Sequence, residues 1–229
     1  MPIFQIQGKD ASTNPPDPVT AVPAGMPKIT GRAADANDGG ALWWDHDDPG
    51  QTGASGEPGM PGIPGAPGNN GGQTPPGTKI TINSAISGSY SVLISGGHGQ
   101  PGGQGGKGGR GGDGQDGGNS DDEQPAGAGG RGGQGGKGGQ GGPGGNGGIV
   151  NEVDIVIGTT VDSSLINLNY TQGLGGGGGQ GGPGADGGGG GAGGAGGGAV
   201  GMQGDPGAPG DWGPRGTDGQ VNQAQITIG

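Results

Sequence analysis

After residue 50, apolar side chains alternate with polar ones in three parts of the chain. These parts are residues 79–95, 149–170 and 220–229. The alternation is clearest in Ile80-Thr81-Ile82 and in Val153-Asp154-Ile155, and a two-residue period is the pattern of a strand with one buried face. The first two parts are each long enough for a hairpin, with turn candidates at Ser87-Gly88-Ser89 and Gly158-Thr159-Thr160. The pattern therefore predicts about five short strands that form a small antiparallel β cap.

Between these strand segments, glycine recurs at every third position. We name the periodic stretches run A to run E: run A covers residues 50–71, run B 96–117, run C 129–147, run D 173–197 and run E 201–219. Runs A and E follow a Gly-X-Pro pattern, as in Gly56-Glu57-Pro58, whereas runs B and C are mostly Gly-Gly-X and run D is nearly pure glycine. The glycine frame slips by two residues at Ala199-Val200, which predicts a tight turn at residues 198–200.

A three-residue period with this composition predicts polyproline-II or polyglycine-II helices, which have three residues per turn and rise about 3.1 Å per residue. A run of about 22 residues would then span roughly 65 to 70 Å. A helix face made only of glycine lets a neighbouring backbone approach closely enough for hydrogen bonds between helices. We therefore expect a bundle of about five such helices without α-helix, with run D buried, runs B and C beside it, and runs A and E at the periphery.

The order of segments predicts which end of the bundle each one reaches. Because successive runs reverse direction, all three strand segments should meet at one end, and the loops and the N-terminal region should lie at the other. Residues 1–49 differ from the rest: they hold a short alternating segment, Ile3-Phe4-Gln5-Ile6, and a Pro-rich linker, Asn14-Pro15-Pro16-Asp17-Pro18. We predict an attachment arm over residues 1–49 and the glycine-rich bundle over residues 50–229.

Composition excludes a conventional globular enzyme. Glycine supplies 73 of 229 residues, while hydrophobic residues make up 24% and aromatic residues 3%, so too little apolar surface is available for one packed core of this length. The chain has no cysteine, which removes thiolate metal ligands and nucleophiles. We expect no catalytic residue and no cofactor.

The negative net charge limits the classes of partner that the protein can bind. The formal net charge is −11, and binding to phosphates or to anionic membranes requires an excess of Lys and Arg, so we expect no nucleic-acid partner. The chain starts without a basic segment followed by an apolar run of signal-peptide length, and no stretch is apolar enough to insert into a bilayer. These features favour an extracellular or virion-associated protein without a secretory signal peptide.

The Gly-Gly-X and Gly-X-Pro repeats of residues 50–229 resemble those of polyglycine-II bundle proteins, namely the glycine-rich receptor-binding tips of phage tail fibres and the springtail antifreeze proteins. Resemblance to fibre tips implies recognition through the loops that join the helices. Resemblance to the antifreeze proteins implies a flat ice-binding face of small side chains, whereas the X positions here often hold Lys, Arg, Gln or Asp. The Gly-X-Pro runs also resemble collagen-like segments, which implies trimers, and the sequence leaves open whether these runs pack within one chain or between chains.

Two segments are candidates for binding a partner. Trp43 and Trp44 are two of only three tryptophans, and exposed aromatic side chains anchor interfaces, although these two could equally pack on the bundle end as a plug. The loop from Asn119 to Gln124 joins two helices at the predicted loop end, and it places four polar residues there. These four are Asp121, Asp122, Glu123 and Gln124. The alternative for the loop is a solvated turn.

Other polar groups are weaker candidates. Asp45-His46-Asp47-Asp48 offers oxygen ligands but lacks the spacing of a calcium loop, so we predict no metal site there. Neither Gly-Lys-Gly sequence, at Lys107 and Lys137, continues to Ser or Thr as a phosphate-binding loop requires. Together with Arg110 and Arg131, these lysines could form a basic stripe or simply pair with nearby carboxylates.

The sequence thus favours a non-enzymatic structural or binding protein, either a fibre-tip adhesin or a fibre-associated module. Residues 1–49 would attach it to a carrier fibre or to other copies of itself, and the loops would meet a cell-surface receptor. One alternative is a filament-forming or spacer subunit in which Ile3–Ile6 and Gln225–Gly229 pair between copies. The other alternative is an ice-binding protein.

Overall fold

The computed structural model describes residues 3–38, 47–83, 88–159, 162–223 and 225–228. Its regular elements are β1 (Ile3–Gln7), β2 (Asn37–Asp38), β3 (Asp47–Asp48), β4 (Thr78–Ile82), β5 (Tyr90–Ser95), β6 (Val153–Ile157), a 3₁₀ turn (Ser163–Leu165), β7 (Ile166–Thr171) and β8 (Gln225–Ile228). The described part of the chain has no α-helix, as the sequence predicts, and therefore no helix long and apolar enough to cross a membrane.

The glycine-rich runs are extended segments joined side by side by backbone hydrogen bonds. In run C, residues 132, 135, 138 and 141 each donate an N–H to run E, while residues 133, 136, 139 and 142 donate to run B. Burial repeats with the same period of three, because over residues 129–142 of run C two glycines of each triplet are buried and the third residue is exposed. The runs thus repeat every three residues, and their backbone hydrogen bonds go to neighbouring runs.

Six such runs form two layers in the described chain. Residues 8–36, which we name run N, join runs B and D in the first layer, and runs A, C and E form the second. Runs within a layer are parallel: Gly105 N–H donates to Gln180 O at 2.9 Å and Gly108 N–H donates to Pro183 O at 3.1 Å. Runs in different layers are antiparallel. Runs B and C have hydrogen-bonded neighbours on four sides and are the interior of the bundle.

The predicted position of run D is wrong, because this run ends its layer and borders runs B, C and E only. Every third residue of run D, starting from Leu174, lies in a mostly exposed row that also holds Gln180, Pro183 and Asp186. Run D therefore has two glycine rows for packing, as runs B and C do, and a third row that faces solvent. Runs A and E lie at the ends of the second layer, as predicted.

The turn between runs D and E falls earlier than the frame slip suggests. It occupies residues 195–197, and not residues 198–200. Gly196 and Gly197 have φ of 97° and 106°, in the left-handed region that glycine enters without the cost of a Cβ. The slip of the glycine frame at Ala199-Val200 is a consequence of this turn, but the turn itself lies before it in the chain.

Six of the eight described strands form two parallel sheets, so the predicted antiparallel cap is wrong. One sheet has the order β1-β5-β7 and the other β4-β6-β8. β4 and β5 do not form a hairpin, because they belong to different sheets, and the same holds for β6 and β7. The strands are parallel because each one is continuous with a run of its layer. β1, β5 and β7 lead into runs N, B and D, and β4, β6 and β8 follow runs A, C and E. Each strand therefore keeps the parallel direction of its layer.

The hydrophobic core of the described chain lies between these two sheets. It consists of Ile82, Val92, Ile94, Val150, Val153, Ile155, Ile157 and Ile166. Val153, Ile155 and Ile157 of β6 are completely buried and alternate with the outward side chains of Asp154 and Val156. Strands from all three predicted segments meet at this one end of the bundle, as the sequence predicts. We call it the sandwich end, and the opposite end the loop end.

Much of the N-terminal region is packed against the bundle. Gly8 N–H donates to Ser95 O at 2.8 Å, Met26 N–H to Arg110 O at 3.1 Å, and Ala36 N–H to Asn119 O at 2.9 Å. Run N therefore follows run B from the sandwich end to the loop end. That residues 1–49 attach the protein to a carrier stays a prediction.

Candidate functional site at the loop end

Three described parts of the chain meet at the loop end. They are the β2–β3 strand pair, the acidic loop over residues 119–126, and the turn over residues 195–197. β2 and β3 pair in antiparallel fashion, with Asn37 opposite Asp48 and Asp38 opposite Asp47. Gly50 N–H donates to Pro125 O at 2.9 Å, which ties the start of run A to the acidic loop.

Asn119 holds these parts together. Its backbone N–H donates to Asp35 Oδ1 at 2.7 Å, and its carbonyl accepts from Ala36 N–H at 2.9 Å. Its side-chain Oδ1 accepts from Ala195 N–H at 2.9 Å. One residue at the start of the acidic loop therefore positions the segment before β2 and the turn after run D.

The predicted binding residues of the acidic loop lie at its tip. Asp121 N–H donates to Gln124 O at 3.1 Å, which closes a tight turn. Asp122 and Glu123 are exposed at this turn, whereas Asp121 and Gln124 are half-buried. The loop therefore presents two carboxylates to solvent from a turn anchored at both ends.

Trp43 and Trp44 lie outside the described residues, as do Asp45 and His46. The strands that flank them in the chain are described, and β3 carries the exposed side chains of Asp47 and Asp48. The two strands that flank this segment in the sequence lie at the loop end. That they bind a partner stays a prediction.

A charged cleft near the loop end has no counterpart in the sequence predictions. The cleft measures about 640 Å³ and is lined by residues 28–35 and Asp116. Lys28 Nζ lies 3.4 Å from Asp116 Oδ1, and Arg32 lies 3.8 Å from Asp35 Oδ1. Each cation faces a carboxylate, so the cleft has no excess of either charge. Apart from Asp116 of run B, its residues come from run N, whose sequence has no three-residue repeat that would signal their position.

Side chains of run B also pair with backbone amides of run D. Asp113 Oδ1 accepts from Gly189 N–H at 2.6 Å and Asp116 Oδ1 from Ala192 N–H at 2.9 Å, which continues the repeat set by Asn119. The hydrogen bond from Arg110, followed by that from Gly189, lowers the pKa of Asp113 below the usual aspartate range. The hydrogen bond from Ala192 lowers the pKa of Asp116. Both carboxylates are therefore ionised acceptors that connect two runs of the first layer.

The basic side chains of runs B and C do not form an uncompensated stripe. Arg131 pairs with Asp205 and Lys137 pairs with Asp211 of run E, each at 2.7 Å. Arg110 pairs with Asp113 at 2.7 Å, and Lys107 has no ion pair within the described residues. The prediction of pairing with nearby carboxylates is confirmed for three of the four residues. Exposed pairs of this kind contribute roughly 0 to 1 kcal/mol each.

The described residues contain no group of three or more His, Asp or Glu side chains that could hold a metal ion. His98 has a structural role, because its Nδ1 accepts from Leu174 N–H at 2.9 Å. The described residues of the loop end can therefore offer hydrogen bonds and charge.

No protein-family model and no curated protein matches this chain. One match among solved structures is the nine polyproline type II helical bundle springtail antifreeze protein from Granisotoma rainieri, whose crystal waters are described as matching the ice lattice. It is 22% identical, the match covers 99% of this chain and 100% of that chain, and the TM-score is 0.13. A TM-score this low carries no argument about fold or function, so these comparisons assign the chain to no family.

Proposed function

We propose that the six runs are polyproline-II helices and that the protein is a non-enzymatic binding and structural protein, a fibre-tip adhesin or fibre-associated module. The observation that carries this proposal is that the β2–β3 pair, the acidic loop and the turn after run D meet at the loop end, where Asn119 ties their flanking residues together. The predicted binding segment Asp121–Gln124 lies there, and Trp43-Trp44 stands between β2 and β3 in the sequence. Loops on a stiff scaffold are where binding residues are most often found.

The scaffold supports this role because it is held by backbone hydrogen bonds along its whole length. Runs B and C each bond to four neighbours, so a loop at the end of the bundle has a fixed base. Helices of this length extend roughly 65 to 70 Å. A receptor-binding surface at the loop end would therefore stand well away from whatever holds the sandwich end.

The sandwich end supports attachment to a carrier or to other copies. β1 ends one sheet and β8 ends the other, so each has one unpaired edge in the described chain. Ile3 is 63% exposed and Ile228 is 67% exposed on these strands. An unpaired edge with exposed apolar side chains favours strand addition by a partner. We propose that the carrier fibre docks here, in an extracellular or virion-associated setting.

The test is binding to cells by labelled protein. A panel of bacterial strains is screened with the fluorescent wild-type protein, and strains that bind it are used for variants. The double variant Asp122→Ser with Glu123→Ser and the double variant Trp43→Ala with Trp44→Ala should each reduce affinity at least about tenfold, which corresponds to about 1.4 kcal/mol. The matched control, Glu57→Ser with Asp186→Ser, removes two exposed acidic side chains from runs A and D and should bind as wild type. Equal binding by loop and control variants would refute the loop-end site.

The filament-forming or spacer alternative is favoured by the same exposed edges. If β1 of one copy pairs with β8 of another, the contact repeats and an open polymer grows. Electron microscopy over a range of protein concentrations would show filaments, and Ile226→Lys with Ile228→Lys should abolish them. The ice-binding alternative lacks a comparable observation, since the outer rows of runs C and E carry the Arg131–Asp205 and Lys137–Asp211 ion pairs. An absence of thermal hysteresis would remove it.

A further inference from the structure

A second concave surface is lined by residues of runs N, B and D of the first layer and of run E of the second layer. It is a groove of about 330 Å³. Pro15, Pro16 and Pro18 of run N line one part of it, and Trp212 of run E lines another. Gly178 and Gly179 of run D contribute backbone without side chains. Its volume is in the range of small-ligand sites, which begins at roughly 300 Å³.

The groove is uncharged in a strongly acidic protein. The chain has a formal net charge of −11, yet none of the groups that line this groove is ionisable. Four of them are prolines and one is Trp212, which is 68% exposed although it is the largest aromatic side chain of the described residues. A charged ligand would find no opposite charge in this lining. A neutral ligand with an apolar face would gain contacts with the proline rings and the indole.

Two amide side chains, those of Gln104 and Gln180, supply the polar part of the lining. Neither amide has a hydrogen-bond partner within the described chain, and the backbone N–H groups of Gly178 and Gln180 have none there either. Each amide provides two N–H donors and a carbonyl acceptor. The groove therefore combines an exposed indole, proline rings and unused donors and acceptors.

We propose that this groove binds a neutral saccharide. A pyranose ring has an apolar face of C–H groups, which packs on an indole, and hydroxyl groups that both donate and accept hydrogen bonds, which suit Gln104 and Gln180. An extended peptide fits less well, because the prolines have no N–H to pair with its backbone and no sheet edge adjoins the groove. The site is separate from the loop end and does not depend on the adhesin proposal.

The test is a calorimetric titration of the full chain with three neutral oligosaccharides, maltohexaose, cellohexaose and chitohexaose, and with the anionic hyaluronan hexasaccharide. At least one neutral sugar should bind saturably, and the anionic sugar should bind at least about tenfold more weakly. Trp212→Ala should weaken sugar binding at least about tenfold and Gln180→Ala about threefold to tenfold. Trp43→Ala with Trp44→Ala is the matched aromatic control and should leave sugar binding unchanged. Thermal melting checks that each variant folds.

Several outcomes would overturn the saccharide site. They are no binding of any neutral sugar at about 10 mM, equal binding by Trp212→Ala, or saturable binding of a decaproline peptide with none of the sugars. Cell binding is measured on the same samples, so the two proposals separate. If Trp212→Ala abolishes sugar binding but not cell binding, the groove is confirmed as a sugar site apart from the loop-end surface. Loss of sugar binding by the Trp43 and Trp44 control would place the sugar at the loop end and refute the groove.

Discussion

At the scale of single residues, the bundle is specified by where a Cβ can fit. A Cβ on Gly136 of run C would clash with the carbonyl oxygen of Met60, which belongs to the neighbouring backbone of run A. A Cβ on Gly177 of run D would meet nothing within 4 Å. Both are glycines in a glycine-rich repeat, and the sequence alone does not separate them. Their surroundings do, because one faces a neighbouring run and the other faces solvent.

Gly136→Ala should therefore destabilise the protein, by about 1 to 3 kcal/mol or more, since a backbone in contact has little room to shift. Gly177→Ala should be neutral or stabilise it by up to about 1 kcal/mol, because alanine lowers the entropy of the unfolded chain. Denaturant unfolding followed by circular dichroism gives both values. A similar loss of stability in the two variants would contradict the packing of run C against run A.

The carboxylate of Asp113 should make stability depend on pH. Its pKa is lowered in the folded protein, chiefly by the hydrogen bond from Arg110, so its stabilising effect is present above the unfolded pKa of about 3.9 and is lost as pH falls through the lower folded value. Asp113→Asn should melt at a lower temperature than wild type at pH 7, and the difference should shrink below about pH 4. Asp186→Asn, which removes an exposed carboxylate without an ion-pair partner in the described chain, is the control and should show a smaller difference at pH 7. A difference for Asp113→Asn that stays constant from pH 7 to pH 2 would count against the ion pair.

At the scale of elements, the sequence predicts which segments are runs and which are strands, because both have a short fixed period. It does not predict how the strands pair. Alternation in Val153–Ile157 shows that one face is buried, but the partner of this strand follows from the parallel direction of runs A, C and E, which is a property of the layer. The sequence misplaces run D for a related reason. The number of glycines suggests burial on all sides, but Leu174, Gln180 and Pro183 lie in one row that faces solvent.

The strands should contribute more hydrophobic stabilisation than the runs. Ile155 of β6 is completely buried in the core, whereas Ile63 of run A is 46% exposed. Ile155→Ala should therefore cost about 2 to 5 kcal/mol, from lost burial and the cavity left behind, and Ile63→Ala should cost less than about 1 kcal/mol. Denaturant unfolding of both variants would give the two changes in the free energy of unfolding, from the shift of each midpoint at an unchanged denaturant slope. If the two substitutions cost the same, the core between the sheets does not hold the sandwich end together.

At the scale of the whole molecule, the chain forms two layers, and all runs within one layer point in the same direction. This organisation decides which elements lie at each end of the bundle. The sandwich end receives β1 and β4 to β8 because every run of a layer starts or finishes there, whereas β2 and β3 lie at the loop end. The loop end receives the acidic loop with Asp121–Gln124 for the same reason, so the position of this loop could be foreseen from the sequence. The inclusion of run N could not, because Pro-rich residues 14–27 have no three-residue glycine frame that would mark them as part of the bundle.

Run N should therefore be needed for stability and not only for attachment. Its backbone covers glycines of run B, where a Cβ on Gly109 would lie 3.2 Å from Ala24 O and one on Gly112 would lie 3.0 Å from Pro27 O. Removing residues 2–36 would expose this glycine backbone and leave β5 without its neighbour β1. We expect the truncated protein to melt at least about 5 °C lower than wild type, since 1 kcal/mol corresponds to about 2 to 4 °C for a chain of this size, and to self-associate in small-angle X-ray scattering. The multiple variant Pro15→Ser, Pro16→Ser and Pro18→Ser keeps the run and is the control, with a melting temperature near that of wild type. An unchanged melting temperature and a monomeric scattering profile for the truncated protein would show that residues 2–36 are a dispensable arm.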